Sequence, residues 1–197
     1  MSDTADVSGQ PGQIIKTGIS VGGHEIEKTG EVVVLAAPET VEMAQDSHWL
    51  DYLGDDSDYY PLELSGVFLE GRKVKLNPFV MGQYPVTEQL WLAVMGNTPQ
   101  KTGFPVSRTN DIYPVCSVNL YEVMIFCNKL TLATGGTVDD LVYEVKGVDF
   151  TDNEIPVPFH GGDRTETKWN SAICHLDRKG YRLPTEAEWE FAAYAPI

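Results

Sequence analysis

The stretch GYRLPTEAEWEFAA, residues 180–193, constrains the fold of this chain more than any other segment. Thr185 and Glu188 have the spacing of a capping box, in which a hydroxyl and a carboxylate satisfy backbone N–H groups at a helix start. Pro184 stands just outside this box, and Glu186 in the first turn complements the helix dipole. Capping explains both glutamates without acid–base chemistry. We therefore predict a helix that begins directly after Thr185.

Two earlier segments also have helix-start signals. Thr87 precedes an apolar run that ends at Gly96, and Asn119 with Glu122 forms a second capping-box pattern before a helix that ends near Gly135. Apolar residues of the second segment recur with helical spacing at Val123, Phe126, Cys127 and Leu130.

These helical positions decide whether three side chains, one thiol and two indoles, are interpreted as core residues or as functional groups. Cys127 lies well inside its helix on the apolar stripe, so we predict a packed small hydrophobe rather than a reactive thiol. Trp91 and Trp189 also occupy helical positions, where core packing is commoner than a sugar-stacking surface.

Short β-rich runs separate the helical segments. Residues 31–37 and 79–84 predict strands, and residues 67–76 predict a hairpin around Glu70-Gly71. Residues 41–53 are compatible with a short helix, and residues 137–175 predict strands and loops that include the extended segment LVYEVKG. We expect residues 1 to about 20, rich in Ser, Gly, Asp and Pro, to form a flexible lead-in.

The charge of the chain is strongly negative and unevenly distributed. The formal net charge is -15, and residues 1–60 hold 12 acidic residues against Lys16 and Lys28. Without a basic stripe the chain lacks the electrostatic footprint of a nucleic-acid-binding protein. No apolar run approaches the length of about 20 residues that spans a bilayer. We expect neither nucleic-acid binding nor direct membrane insertion.

Metal sites have weak support in the sequence. The acidic stretch Asp55, Asp56 and Asp58 offers oxygen ligands, but it lacks the glycine and closing glutamate of an EF-hand loop, which favours a solvated turn over a calcium site. Adjacent Cys174 and His175 cannot both reach one metal from regular structure. The three cysteines are too few for a disulfide scaffold, and we expect buried thiols.

Three segments together resemble the formylglycine-generating-enzyme, or sulfatase-modifying-factor, family. GYRLPTEAEWEFAA closely resembles the family's signature. FVMGQYPVTEQLWLAVMGNTP resembles its strand, Val-Thr pair and aromatic-bearing helix, and YPVCSVNLYEVMIFCNKL resembles its Pro-Val and Tyr-Cys-Asn-x-Leu segments. Leu120 stands near the usual Trp of the family, and Phe126 stands where the family has Tyr.

The resemblance implies an α+β, C-type-lectin-like fold with two main helices and short antiparallel sheets. Residues 62–197 are then the N-terminal portion of this domain, and residues 1–61 an acidic, partly flexible extension. The family's metal-binding cysteine pair and later motifs follow the point that Ala193 matches, and none is in this sequence, so we expect the C-terminal half to be missing and assign no catalytic residue. The positions assigned to the structural family motif are Val86, Thr87, Trp91, Asn119, Cys127, Arg182, Leu183, Pro184, Thr185, Glu186, Glu188 and Trp189.

Two classes of function follow from the resemblance. The first is a non-catalytic ligand-binding or display protein, such as a variable protein of a diversity-generating retroelement, whose partner is a protein or other surface ligand. The alternative is a metal-dependent oxidative enzyme, either a copper-using formylglycine generator or an iron-dependent sulfoxide synthase, whose catalytic half lies outside this chain. A folded fragment or regulatory relative is a third reading.

The same resemblance sets the expectations for cofactor and compartment. We expect no cofactor in this chain, because copper or calcium would need a family-like C-terminal half. The resemblance favours a cell-surface or extracytoplasmic location, although the N-terminus has no signal peptide.

Overall fold

The computed structural model describes residue 10 and residues 12–16, 18–34, 76–97, 99, 112–156 and 168–194. The chain divides into two compact units. The described part of the first comprises residues 14–32 and 82–183 with their gaps, and that of the second comprises residues 10, 12–13, 33–34, 76–81 and 184–194. Each unit is described by itself below.

Five short strands precede the first helix. They are β1 (Ile14–Lys16), β2 (Ile19–Val21), β3 (His24–Ile26), β4 (Glu31–Val34) and β5 (Phe79–Gly82). Strands β1, β4 and β5 form a three-stranded sheet in that order, and β1 pairs antiparallel with β4. The strands predicted at residues 31–37 and 79–84 are confirmed at residues 31–34 and 79–82. Residues 35–37 lie outside the described residues, and β5 ends before residues 83–84.

Strands β2 and β3 form a tight antiparallel hairpin of their own. Gly22 and Gly23 connect them with φ angles of 59° and 83°, a left-handed conformation that suits two-residue hairpin turns and that glycine adopts without steric cost. The expected flexible lead-in is therefore wrong for residues 14–16 and 19–21. Strand β2 pairs with the next strand of its own hairpin, and β1 pairs with β4 farther along the chain.

Two helices form the frame of the first unit: α1 (Glu88–Met95) and α2 (Leu120–Ala133). Both begin at the predicted caps. The Thr87 hydroxyl accepts from the backbone N–H of Leu90 at 3.2 Å, and Gly96 ends α1 in the left-handed conformation.

A short two-stranded sheet follows α2. Strand β6 (Tyr143–Glu144) pairs antiparallel with β7 (Ile173–Cys174). The extended segment predicted for LVYEVKG is confirmed at these two residues of β6, whereas its last two residues form a turn. A single-turn 3₁₀ helix, Val138–Asp140, joins α2 to β6, and a second, Lys168–Ser171, precedes β7.

One hydrophobic cluster forms the core of the first unit. It joins Ile19 and Ile26 of the β2–β3 hairpin to buried residues of both helices, of the β6 region and of the second 3₁₀ helix. The aromatic members of the cluster are Trp91, Phe126, Tyr143, Phe150 and Trp169.

The second unit contains the end of β4, most of β5 and helix α3 (Glu186–Tyr194). Val33 is nearly inaccessible to solvent, and its backbone exchanges hydrogen bonds with Gly12 and Gln13 at 3.0 Å. In the described residues no helix is long and apolar enough to cross a membrane.

Several predictions fall outside the described residues. They are the helix at 41–53, the acidic turn at 55–58, nearly all of the hairpin at 67–76 and the loop at 157–167 that contains His160. The domain boundary after residue 61 falls in the same part of the chain and stays a prediction.

Candidate functional site

The first two motif segments are joined through their backbones. The N–H of Val115 donates to the carbonyl of Val86, and the N–H of Glu88 donates to the carbonyl of Tyr113, both at 2.8 Å. Thr87 and Pro114 form a β-bridge between these bonds. The Val86-Thr87 pair is therefore held against the Pro-Val segment that leads into α2.

Aromatic stacking joins the two helices that carry these segments. The rings of Trp91 on α1 and Phe126 on α2 are parallel to within 5°, and their centroids are 5.0 Å apart. Trp91 is 2% exposed, which confirms its predicted core position. Its indole N–H has no hydrogen-bond partner in the described part of the chain.

Helix α2 begins with a complete capping box. The side chain of Asn119 accepts from the N–H of Glu122 at 2.9 Å, and the Glu122 carboxylate accepts from the N–H of Asn119 at 2.7 Å. Both bonds use the residue types and spacing read from the sequence, which confirms the predicted helix start.

Cys127 lies on the buried face of α2, as predicted. Burial, and secondarily the neighbouring Cys174, raise the pKa of its thiol from 9.0 to about 12. Because nucleophilic attack requires the thiolate, burial and the raised pKa disfavour Cys127 as a nucleophile near neutral pH.

The first residues of the third motif segment approach α2 and the 3₁₀ helix that follows it. The N–H of Gly180 donates to the carbonyl of Asp140 at 3.0 Å, and the N–H of Tyr181 donates to the hydroxyl of Thr131 at 2.9 Å. A methyl group at position 180 would meet the backbone of Asp140 and would lie 2.8 Å from the Thr131 hydroxyl oxygen. Only glycine fits at this close approach.

Two tyrosine hydroxyls hold residues 181 and 183 of the same segment. The Tyr143 hydroxyl accepts from the N–H of Leu183 at 3.0 Å, and the Tyr181 hydroxyl donates to the Glu31 carboxylate at 2.6 Å. Burial, together with the Glu31 carboxylate, raises the pKa of Tyr181, so this hydroxyl stays protonated and remains a donor.

Asn128 is the main contributor that sequence reasoning missed. Its fully buried side chain donates to the carbonyl of Tyr143 at 2.7 Å and accepts from the N–H of Tyr143 at 3.2 Å. One amide group therefore replaces a strand partner for β6. Its place beside Cys127 in the Tyr-Cys-Asn-like segment was the available signal.

The remaining motif residues belong to the second unit. The N–H of Thr185 donates to the Glu188 carboxylate at 2.7 Å, and the N–H of Glu188 donates to the Thr185 hydroxyl at 3.2 Å, so the predicted capping box is confirmed. Glu186 occupies the first turn, as predicted.

Two predictions of burial are wrong. Trp189 is 59% exposed, because the first turn of α3 buries Ala187 and Glu188 and leaves the next position outside the packed face. Cys116 and Cys174 are exposed as well. Cys174 lies on a two-residue strand at the edge of a two-stranded sheet, where little chain covers it.

The arrangement of the motif residues is one of capping, stacking and close backbone approach. Among the described residues no three His, Cys, Asp or Glu side chains converge as metal ligands would. Arg182 donates to the carbonyl of Leu183 at 3.0 Å. The contacts of these motif residues therefore stabilise the backbone within each unit.

Comparisons with known proteins agree with this frame. The chain is 30% identical to variable protein 1 of Treponema denticola, with a TM-score of 0.61 over 89% of this chain and 55% of that one. It is also 32% identical over 122 residues to the chaperone protein LppX of Paenibacillus barcinonensis, a match that covers 62% of this chain and 38% of LppX. The chain thus spans about half or less of the length of these relatives.

The structural match confirms the predicted α+β, C-type-lectin-like fold and the resemblance to variable proteins. The model of the sulfatase-modifying factor enzyme 1-like domain matches residues 25–196, which is most of the sequence. Its match begins upstream of the three motif segments and includes all of them. The chain therefore belongs to the sulfatase-modifying factor enzyme 1-like domain family.

Proposed function

We propose that this chain forms the scaffold of a non-catalytic ligand-binding or display protein of the variable-protein type. The observation that carries the proposal is the structural match to a variable protein at 30% identity over most of the chain. A fold alone does not fix function, so the argument also needs the chemistry of the motif residues.

The motif side chains support a scaffold role. Thr87, Asn119 and Thr185 are used as helix caps, and Trp91 is used in packing. Cys127 is the one thiol in the motif positions, and its raised pKa keeps it protonated. These side chains stabilise the scaffold, so we assign ligand binding to other surfaces of the protein.

The proposed partner is a protein or another surface ligand. LppX is named as a chaperone, and a chaperone acts on other proteins, which favours a protein partner. The net charge of -15 makes binding to nucleic acid or to anionic lipid unfavourable. We further propose that the chain inserts in no membrane and that its location is at the cell surface or otherwise outside the cytoplasm.

An oxidative enzyme is the second candidate, because the family model is named for a sulfatase-modifying enzyme. Thiol oxidation by copper would need two thiolates that are placed together, since soft thiolates select Cu(I). Cys127 does not fit this requirement in its protonated, buried state. We therefore propose that no cofactor binds in this chain and that copper or calcium would need a family-like C-terminal half.

The first experiment compares the two candidates directly. The chain is incubated with Cu(I), oxygen and a synthetic cysteine-containing sulfatase peptide, and the peptide is followed by mass spectrometry beside an active formylglycine-generating enzyme. We expect no conversion of the peptide thiol to an aldehyde by this chain. Conversion that depends on the chain would overturn the non-catalytic proposal.

A second experiment addresses binding and metal dependence together. The immobilised chain is exposed to a library of displayed random peptides, and bound peptides are competed with the soluble chain in the presence and absence of a chelator. We expect saturable, competable binding that the chelator leaves unchanged. Failure to enrich any competable peptide would count against ligand binding, and loss of binding with the chelator would count against a metal-free site.

A further inference from the structure

An open groove of about 640 Å³ lies beside strand β6, within the first unit. We call it the hairpin groove: it is bounded by the 3₁₀ turn at residues 138–141, by residues 143–145 and by the turn at residues 147–152, with Arg178 at its border. This volume falls in the range of about 300 to 1,000 Å³ that is typical of ligand pockets.

The floor of the hairpin groove is apolar and fixed. Leu141, Tyr143, Val145 and Phe150 lie beneath it in the hydrophobic core cluster and are only 2–6% exposed. Val138, which is 58% exposed, supplies apolar surface at the edge of the floor. The ring of Phe150 meets the buried ring of Trp169 edge-on, with centroids 6.3 Å apart. Because the floor is anchored from below, the groove is formed before any ligand arrives, which lowers the entropic cost of binding.

The rim of the groove is acidic. The lining contains one guanidinium, that of Arg178, and four carboxylates. The carboxylates belong to Asp139, Glu144, Asp149 and Asp152. Asp149 accepts hydrogen bonds from the N–H and hydroxyl of Thr151, which lower the pKa of its carboxyl group and keep it ionised at neutral pH.

Two rim carboxylates are available to a ligand. Within the described ranges, Asp139 and Asp152 are exposed and neither carboxylate has a hydrogen-bond or ion-pair partner. Glu144 is already engaged, since it lies 2.9 Å from the imidazole of His175. The available negative charge therefore stands at the two turns that bound the groove.

The basic groups nearby are directed to backbone carbonyls. Arg178 donates to the carbonyl of Leu141 at 2.7 Å, and Lys168 donates to the carbonyl of Gly147 at 3.1 Å. Three further lysines offset part of the rim charge: Lys146 is exposed beside the groove, Lys129 donates to the carbonyl of Asn153 at 2.8 Å, and Lys179 lies near the carboxylate of Asp140. The lining still carries more negative than positive charge.

We propose that the hairpin groove binds a peptide segment in which Lys or Arg side chains flank an apolar residue. The apolar residue and the aliphatic stems of the basic side chains lie on the apolar floor, and the charged heads reach the carboxylates of Asp139 and Asp152. Ion pairs of this exposed kind are individually weak and salt-sensitive, so the affinity is modest.

This inference goes beyond the proposed function, because it assigns a site in the described residues whether or not the chain displays another ligand surface. The charge complementarity selects a basic partner and disfavours an anionic one. The apolar floor distinguishes the site from a merely acidic surface, to which a basic peptide without apolar residues would bind equally well.

The test uses the full chain and three labelled pentapeptides followed by fluorescence anisotropy. Lys-Leu-Lys-Leu-Lys is the probe, Lys-Ser-Lys-Ser-Lys removes the apolar residues, and Glu-Leu-Glu-Leu-Glu reverses the charge. We expect saturable binding of the first peptide that weakens as the salt rises well above about 0.15 M. No saturable binding of this peptide, or equal binding of the serine peptide, overturns the proposal.

Two matched double variants test whether the peptide binds in the hairpin groove. The double variant Asp139→Asn, Asp152→Asn should weaken binding of the lysine-leucine peptide by about fivefold, since two exposed ion pairs are lost. The control, Glu25→Gln, Glu27→Gln, changes the same charge at exposed positions of β3 and just after it, away from the groove lining, and should leave affinity within about twofold. Equal weakening in both variants would show general charge attraction and overturn the groove assignment. Unchanged unfolding midpoints establish that both variants fold.

Discussion

Asn128 performs two tasks with one side chain, because its amide satisfies both the N–H and the carbonyl of Tyr143 in the interior. Replacing it by leucine, Asn128→Leu, keeps the bulk but leaves two buried backbone groups without partners. We expect a loss of about 2 to 4 kcal/mol in the free energy of unfolding, since each orphaned group costs about 1 to 3 kcal/mol. Urea unfolding followed by circular dichroism measures it.

The neighbouring residue provides the control for Asn128. Lys129 is partly exposed, and its amino group donates to the carbonyl of Asn153 at the surface at 2.8 Å. Lys129→Ala should change the free energy of unfolding by less than about 1 kcal/mol. If Asn128→Leu cost no more than this, the paired amide contacts would not contribute as the geometry indicates.

Gly180 carries a second prediction at the scale of one residue. Gly180→Ala places a methyl group against the backbone of Asp140 and the hydroxyl of Thr131, where no space exists. We expect a loss of about 1 to 3 kcal/mol through overpacking and a shifted motif segment.

Gly18 is the matched control for this substitution. A methyl group there would meet the Thr29 hydroxyl oxygen at 3.7 Å, an ordinary contact distance, so Gly18→Ala should be nearly neutral or slightly stabilising. Equal unfolding midpoints for the two alanine variants in urea would contradict the close approach at Gly180.

Helix α2 carries one motif segment and contacts residues of the other two within the first unit, since Phe126 stacks on Trp91 and Thr131 accepts from the N–H of Tyr181. Asn119→Ala removes the side chain that accepts from the N–H of Glu122. The expected loss is about 1 kcal/mol, within the range of about 0.5 to 2 kcal/mol that N-cap removal costs. Leu120→Ala, at an exposed position of the same turn, should cost less than about 0.5 kcal/mol. Thermal unfolding of both variants gives the comparison, and the prediction is wrong if the leucine variant loses more.

Element starts were readable from the sequence because capping is local. Thr87, Asn119 and Thr185 each find their backbone partner three residues later, so spacing and residue type were sufficient. The family resemblance then supplied the fold class, which the structural match confirms.

Non-local contacts were not readable in the same way. The Asn128–Tyr143 contact spans 15 residues and the Tyr181–Glu31 bond spans 150, and nothing in a local pattern encodes them. Strands β1 and β2 are only three residues long, which is too short for a period-2 signal. Trp189 shows a related limit, because a helical pattern does not identify which face is covered.

At the scale of the whole molecule, one cysteine thiol and two tyrosine hydroxyls with raised pKa values link the free energy of unfolding to pH. Burial raises the pKa of Cys127 from 9.0 to about 12, and it also raises the pKa values of Tyr143 and Tyr181. Each group is neutral when protonated, and the folded chain holds its proton more tightly than the unfolded chain. The stabilisation is therefore complete below about pH 9 and is lost as the pH rises through the raised values.

Cys127 isolates one part of this alkaline loss. In Cys127→Ala the thiol proton is gone, so the fall in unfolding free energy between about pH 9 and pH 11 should be shallower than in the original chain by up to about 1.4 kcal/mol per pH unit. Urea unfolding at a series of alkaline pH values measures the slopes of the original chain and of Cys127→Ala. Parallel slopes for the original chain and Cys127→Ala would mean that the thiol ionises as freely in the folded chain as in the unfolded one. Its assignment as an inert core residue, on which the non-catalytic proposal partly rests, would then fail.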